Sequence, residues 1–233
     1  MESRPYKLPR FMGRVIAIDG PAGSGKSTTA KILAARLGFQ YLDTGAMYRA
    51  LTWFAIQNGV APSDGPKLAV LARSVAINFE THEDINRVFI NGRDVTETIR
   101  TPMVTQLVSE VSAHQGVRQA MVEKQREMGQ KGEIVAEGRD TTTVVFPDAD
   151  VKVYLDCDVA TRAQRRLIDM ARIGVSTTLE EQVAEITRRD KYDSERKHSP
   201  LTKARDAYLV DTTNTTIEEQ VERVLSLLKS VLK

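Results

Sequence analysis

Five short stretches of the chain are apolar at successive rather than alternate positions: RVIAID (14–19), FQYLD (39–43), EIVAE (133–137), VKVYLD (151–156) and AYLVD (207–211). Their Val, Ile, Leu and Tyr content suits strands covered on both faces, as in a parallel sheet. Helical patterns run between them. KSTTAKILAARLG stops on Gly38, the residue type a helix C-terminus favours. The last helix is expected to open at Thr216, because Thr216 and Glu219 have capping-box spacing. Its Ile217, Val221, Val224, Leu225 and Leu228 make one apolar stripe, which favours packing on the parent sheet over a partner-binding face. Alternating strands and helices predict a three-layer α/β fold around a five-stranded parallel sheet.

One segment departs from this alternation. VAINFE (75–80) and RVFI (87–90) have period two, and Asn91-Gly92 follows as a hairpin signal. Residues 74–98 are therefore expected to form a small antiparallel sheet inserted in a single domain, whose core is 13–73, 99–159 and 177–233. PSDGP (62–66) is expected to be a loop leading into a helix.

Composition narrows the class. A chain of 233 residues can bury a sizeable core, and 41% hydrophobic with 27% charged residues suits a soluble globular protein. A net charge of +2 favours neither a nucleic-acid binder nor a membrane-surface protein. The six phenylalanines and six tyrosines are scattered rather than interleaved with a basic face. Cys157 is the only cysteine, so it can form no disulfide within the chain. The N-terminal MESRPYKLPRFMGR has no apolar run long enough for a signal peptide or a membrane span. A cytoplasmic monomer is expected, with neither nucleic acid nor membrane as partner.

The chemistry starts after the first strand, in Gly20-Pro21-Ala22-Gly23-Ser24-Gly25-Lys26-Ser27-Thr28. This is a P-loop pattern in the setting it requires, a buried strand before and a helix after. Glycines let successive N–H groups wrap a phosphate at the helix N-terminus. Lys26 brings a point charge to the β- and γ-phosphates, and the Ser27 hydroxyl can ligate Mg2+. A nucleoside triphosphate is the expected ligand. No guanine-reading NKxD is present, which argues against a GTPase. Arginines instead follow the strand ends, in LDTGAMYRA, EGRDTTTVVFP, TRAQRR (161–166) and RRDKYDSERKHSP (188–200). Ligands of open α/β sheets bind outside those ends.

IDGPAGSGKST, LDTGAMYRA, EGRDTTTVVFPDADVKVYLDC and RRDKYDSER together resemble the bacterial cytidylate kinases, small P-loop nucleoside monophosphate kinases. The likeness spans nearly the whole chain. It implies transfer of the γ-phosphoryl group of ATP to CMP or dCMP with Mg2+. By the same resemblance Thr44 lies near the cytosine beside Tyr48, Arg49 holds the CMP phosphate, and Ser109 and Arg118 read the base. Arg139 is placed on phosphate, Asp140 toward cytosine, Arg189 and Asp193 on the ribose, and Arg196 on the base. TRAQRR looks like the start of a mobile lid (160–176), with Arg162, Arg165 and Arg166 over the phosphates. Lys26, Arg139, Arg162 and Arg166 are the expected catalytic groups.

Two positions depart from the family pattern. The loop reads Gly25-Lys26-Ser27-Thr28 where Gly-Lys-Gly-Thr is usual, leaving open whether Ser27 or Thr28 meets the metal. Glu137 stands where the usual motif has aspartate. Joining two polyanions requires charge neutralisation, which arginines from two sides and a metal supply; the CMP phosphate needs no general base. Shikimate kinase is the alternative within the class, and a non-catalytic nucleotide-binding module the alternative outside it. A carbocyclic acid, however, would not need the base-reading positions. His82, His114 and His198 lack metal-site spacing. Trp53, Phe54 and Cys157 read as core, and Asp156 and Asp158 as a strand end leading to a helix cap.

Overall fold

The structure is a computed structural model that describes residues 14–82, 85–172 and 174–231. The start of the expected core at residue 13, its last two residues and the N-terminal segment lie outside the described residues. The main sheet holds β1 (Val15–Asp19), β2 (Gln40–Asp43), β6 (Ile134–Gly138), β7 (Val151–Asp156) and β8 (Tyr208–Asp211). All are parallel, in the order β2-β6-β1-β7-β8, with Ala17 opposite both Ala136 and Lys152. The five expected strands are thus present, four with ends moved by one residue.

Side chains alternate across this sheet, and the alternation makes three layers. On one side Leu42, Ile134 and Ala136 join the core built with α2 (Thr44–Gln57), α3 (Gly65–Ser74), α4 (Pro102–Ala113) and α5 (Gln115–Gly129). On the other side Tyr41 and Val135, with Ile16 and Ile18 of β1, meet α1 (Lys26–Leu37) and α8 (Ile217–Val231). Val221, Val224, Leu225 and Leu228 are buried there, so the α8 stripe packs on the sheet. Full burial of each such side chain contributes about 1.5–3 kcal/mol.

Local signals set the helix ends. Gly38 closes α1 in the left-handed region, at φ 70°. Thr216 and Glu219 bond reciprocally at the start of α8. Asp64 accepts from the Lys67 N–H and starts α3, so Gly65 and Pro66 of PSDGP are already helical. Asp158 accepts from Thr161 N–H and opens α6 (Val159–Arg172). The same kind of box at Thr178 and Glu181 opens α7 (Leu179–Glu195). The second sheet is antiparallel, with β3 (Ile77–His82), β4 (Ile85–Ile90) and the short β5 (Arg93–Asp94) joined through Asn91-Gly92. Arg93 lies over the Trp53 ring at 4.8 Å, so this sheet contacts α2.

Residues 141–145 form a π-helical turn after β6, which no sequence pattern announced. Asp19, at the end of β1 and fully buried, holds it. The carboxylate accepts from Thr141 N (2.9 Å) and Oγ1 (2.6 Å), and from Thr142 N (2.8 Å) and Oγ1 (2.6 Å). Burial raises its pKa, and the threonine bonds offset part of that rise. Asp19→Ala is expected to destabilise the protein by about 3–5 kcal/mol, since it strips partners from buried donors. Urea unfolding monitored by circular dichroism measures it; a loss below about 1 kcal/mol would contradict this role.

Candidate functional site

The strand ends open into one cavity of about 500 Å³. Its floor at one end is the loop from Gly20 to Lys26. Two glycines there are sterically required. A Cβ on Gly20 would sit 2.2 Å from the Leu155 carbonyl oxygen, and one on Gly25, at φ 89°, would meet Gln220 Oε1 at 2.7 Å. Gln220 of α8 also accepts from Thr29 Oγ1, bracing the first turn of α1. Lys26 is buried and donates from Nζ to the Pro21 carbonyl at 2.9 Å. Burial, then the nearby Arg139 charge, pull its pKa down to about 7. Ser27 and Thr28 stand exposed on the cavity wall, whereas Gly20, Pro21 and Ser24 are packed behind it.

The other end is lined from α2, α4, α5, α7 and the segment after β6. Thr44 donates to the Glu137 carbonyl at 2.7 Å, so α2 starts against β6. Asp43 caps that helix by accepting from Ala46 N–H. Burial, then Glu137, push the Asp43 carboxyl up to about 6. Tyr41 Oη donates to Glu137 Oε1 at 2.9 Å. Arg49 donates from Nη1 to Thr105 Oγ1 (2.9 Å) and the Ile99 carbonyl (3.3 Å). Burial and then Arg189 lower it to about 9, while burial and then Arg139 lower Arg189 to about 10. The arginines thus crowd a site with room for an anion.

A line of alternating charges crosses the back of this end. Arg118 donates from Nη2 to Asp140 Oδ2 and from Nη1 to the Ser112 carbonyl (3.2 Å), with its guanidinium over the Tyr48 ring at 5.1 Å. Arg196 Nη2 lies 3.7 Å from Asp140 Oδ1, and its Nη1 lies 3.8 Å from Asp193 Oδ1. Arg139 Nε donates to Asp193 Oδ2 at 2.9 Å. Burial opposes the Asp193 charge, and Arg139, Arg189 and Arg196 outweigh it, so its pKa is lowered. Arg196 Nη2 is buried without a hydrogen-bond partner, a donor left for a ligand.

Nine basic side chains line the cavity against five acidic ones, in a chain of net charge only +2, so its positive potential is concentrated here. Of the expected site residues, Ala22, Gly23, Gly25, Lys26, Ser27, Thr28, Thr44, Tyr48, Arg49, Ser109, Arg118, Arg139, Asp140, Arg166, Arg189, Asp193 and Arg196 all reach this one cavity. Arg162 does not; it is buried beneath the loop. Arg100, Asp43, Ser112 and Asp169 also line the wall. Asp43 had a signal, standing beside Thr44 at a strand end. Arg100 sits in TETIRTP with nothing to distinguish it from a surface charge.

The cytidylate kinase family model matches residues 16–230. The chain belongs to the cytidylate kinase family. A cytidylate kinase of Bacillus cytotoxicus is 46% identical over 94% of this chain and 97% of its own length. One of Geobacter sp. strain M21 is 48% identical over 91% of each. Among solved structures, an uncharacterized protein from Eubacterium ventriosum superposes with a TM-score of 0.51 at 13% identity, over 93% of this chain and 99% of the other; it supports the fold alone. Among the described residues no helix is long and apolar enough to cross a membrane, and no three His, Cys, Asp or Glu cluster as a metal site.

The lowered Lys26 pKa has a consequence for nucleoside triphosphate binding. At pH 8 the ammonium is largely deprotonated in the free protein, and polyphosphate charge beside it favours the protonated form. Binding should therefore take up close to one proton at pH 8 and little through Lys26 at pH 6, where it is already charged. Calorimetry with ATP in buffers of different ionisation enthalpy measures this, and Lys26→Met should lose the uptake at pH 8. Equal uptake in wild type and variant at pH 8 would rule it out.

Proposed function

We propose that this protein transfers the γ-phosphoryl group of ATP to CMP or dCMP, giving ADP and CDP or dCDP. The observation that carries the reading is a phosphate loop and a buried Arg118–Asp140–Arg196 cluster at opposite ends of one cavity. The family membership supports the same reaction and does not favour a carbocyclic acid such as shikimate.

In this reading the Gly20–Thr28 loop and Lys26 take the ATP phosphates, and Arg166 meets them from α6. Arg49 and Arg139 take the acceptor phosphate. Burial and then neighbouring arginines lower the pKa values of Arg49 and Arg189, and a phosphate dianion would offset both effects. Ser109, Arg118, Asp140 and Arg196 read the base, Thr44 and Tyr48 bound it, and Arg189 and Asp193 hold the ribose. The acceptor phosphate is the nucleophile, so the side chains contribute by positioning and by electrostatic stabilisation.

Mg2+ suits the oxygen groups around the loop. The Ser27 and Thr28 hydroxyls line the same cavity as the Asp43 and Glu137 carboxylates, and the Asp43 pKa is raised by burial and then by Glu137. Ser27 or Thr28 would ligate the metal on the nucleotide, where it would neutralise phosphate charge. Arg162 and Arg165 hold the start of α6 to Ala22, Cys157 and Thr212. Within the expected lid, the part of α6 beyond Arg165 would therefore close over the donor and exclude water from ATP. We take the protein to be a cytoplasmic monomer.

Base reading and phosphate holding separate by mutation. Asp140 can accept from the cytosine N4 amine, whereas uracil offers a carbonyl oxygen there. Asp140→Asn or Asp140→Ala should narrow the CMP-over-UMP preference by about 1–3 kcal/mol. Arg49→Ala should weaken both acceptors alike. The ratio of kcat/KM for the two nucleotides decides; a ratio moved by Arg49→Ala and untouched by Asp140→Ala would reverse the assignments. Phosphorylation of shikimate but not CMP would overturn the function itself.

A further inference from the structure

Arg162 and Asp190 grip the backbone of one phosphate-loop residue, Ala22, from two helices. From α6, Arg162 Nη1 donates to the Ala22 carbonyl at 3.1 Å and to Asp190 Oδ2 at 2.5 Å. Its Nε donates to the Cys157 carbonyl at 2.9 Å, which fixes the guanidinium to the end of β7. From α7, Asp190 Oδ1 accepts from the N–H of the same Ala22 at 3.4 Å. Both backbone polar groups of Ala22, in two successive peptides, are thus engaged, one by each member of an ion pair. Arg162 is 4% exposed, and a Cβ on Gly23 would stand 3.1 Å from Arg162 Cβ, so α6 packs directly on the loop.

The position of Asp190 in its helix matters as much as its bonds. Its neighbours Arg189 and Asp193 face the acceptor end of the cavity. One rigid helix therefore carries acceptor contacts and, at the residue between them, the hold on the donor loop. Phosphoryl transfer needs reacting atoms about 3–3.5 Å apart and in line, and a misplacement of about 1 Å can cost about a hundredfold in rate. We propose that Asp190 is a positioning residue for phosphoryl transfer, acting through Arg162 and the Ala22 backbone to set the phosphate loop against the acceptor contacts of α7. This rests on the donor and acceptor assignment above. It gives Arg162 a different task from Arg166: Arg162 aligns the loop, and Arg166, on the cavity wall, is free to meet phosphate.

The test compares Asp190→Ala, Asp190→Asn, Arg162→Ala and the Arg162→Ala/Asp190→Ala double variant. In Asp190→Ala, kcat should fall about tenfold to a hundredfold while the KM values for ATP and CMP stay within about twofold. Asp190→Asn keeps one acceptor oxygen and should fall between it and wild type. The double variant should be no slower than Arg162→Ala, because the two residues act as one device. The readout independent of activity is amide exchange in the loop peptide of the substrate-free protein, which should accelerate in Asp190→Ala with the rest of the fold protected. Unchanged kcat, or unchanged loop exchange, in a folded Asp190→Ala protein overturns the proposal. Loop exchange needs no substrate, so a wild type unable to phosphorylate CMP would defeat the functional reading and leave this result legible.

Discussion

The bond set around Asp19 is the constraint on which the site is built. β1 leads into the phosphate loop, and its partner β6 leads into Arg139 and Asp140. One carboxylate at the end of β1 takes four hydrogen bonds from the turn that follows Asp140. The donor loop and the acceptor's charged residues are thereby set from one point. A carboxylate buried this deeply is tolerated because backbone and hydroxyl donors replace its hydration. Parallel pairing puts both strand ends on the same side of the sheet, so a short turn suffices where an antiparallel pair would send the two loops to opposite edges.

Around that anchor the protein holds more positive than negative charge, and the excess is organised. Asp140 and Asp193 alternate with Arg118, Arg196 and Arg139, so each buried arginine has a carboxylate within reach. Arg49, Arg189 and Lys26 are the groups whose pKa values burial and neighbouring cations lower most. Lys26 and Arg49 are also expected to meet phosphate, and Arg189 the ribose beside it. Unfavourable positive charge is thus concentrated where polyanionic substrates can relieve it, which favours a nucleotide over a neutral ligand.

Arg162 shows how one residue type in a motif divides into different physical tasks. TRAQRR offers three arginines within six residues. At i, i+3 and i+4 they share one face of α6. They differ in how far along the helix each stands from the phosphate loop: Arg162 is in the first turn and Arg166 one turn further on. Arg166 faces the cavity, Arg165 also donates to the Thr212 carbonyl, and Arg162 is buried against the Ala22 carbonyl.

The sequence by itself determined the elements and the chemical class, since both rest on local rules. Continuous apolar runs gave the five strands, glycine and capping patterns gave the helix ends, and a strand–loop–helix P-loop gave the phosphate site. The motifs also named most residues that meet in the cavity, because ligand-binding side chains follow strand ends in this topology. Only the tertiary structure decided the strand order, the π-helical turn at 141–145 and the task of Arg162. It also brought out Asp19, Asp190 and Gln220, whose roles lie in bonds to partners 122, 168 and 191 residues away. Interactions across such separations leave no periodicity or spacing in the chain, since they exist only once the sheet has brought distant segments side by side.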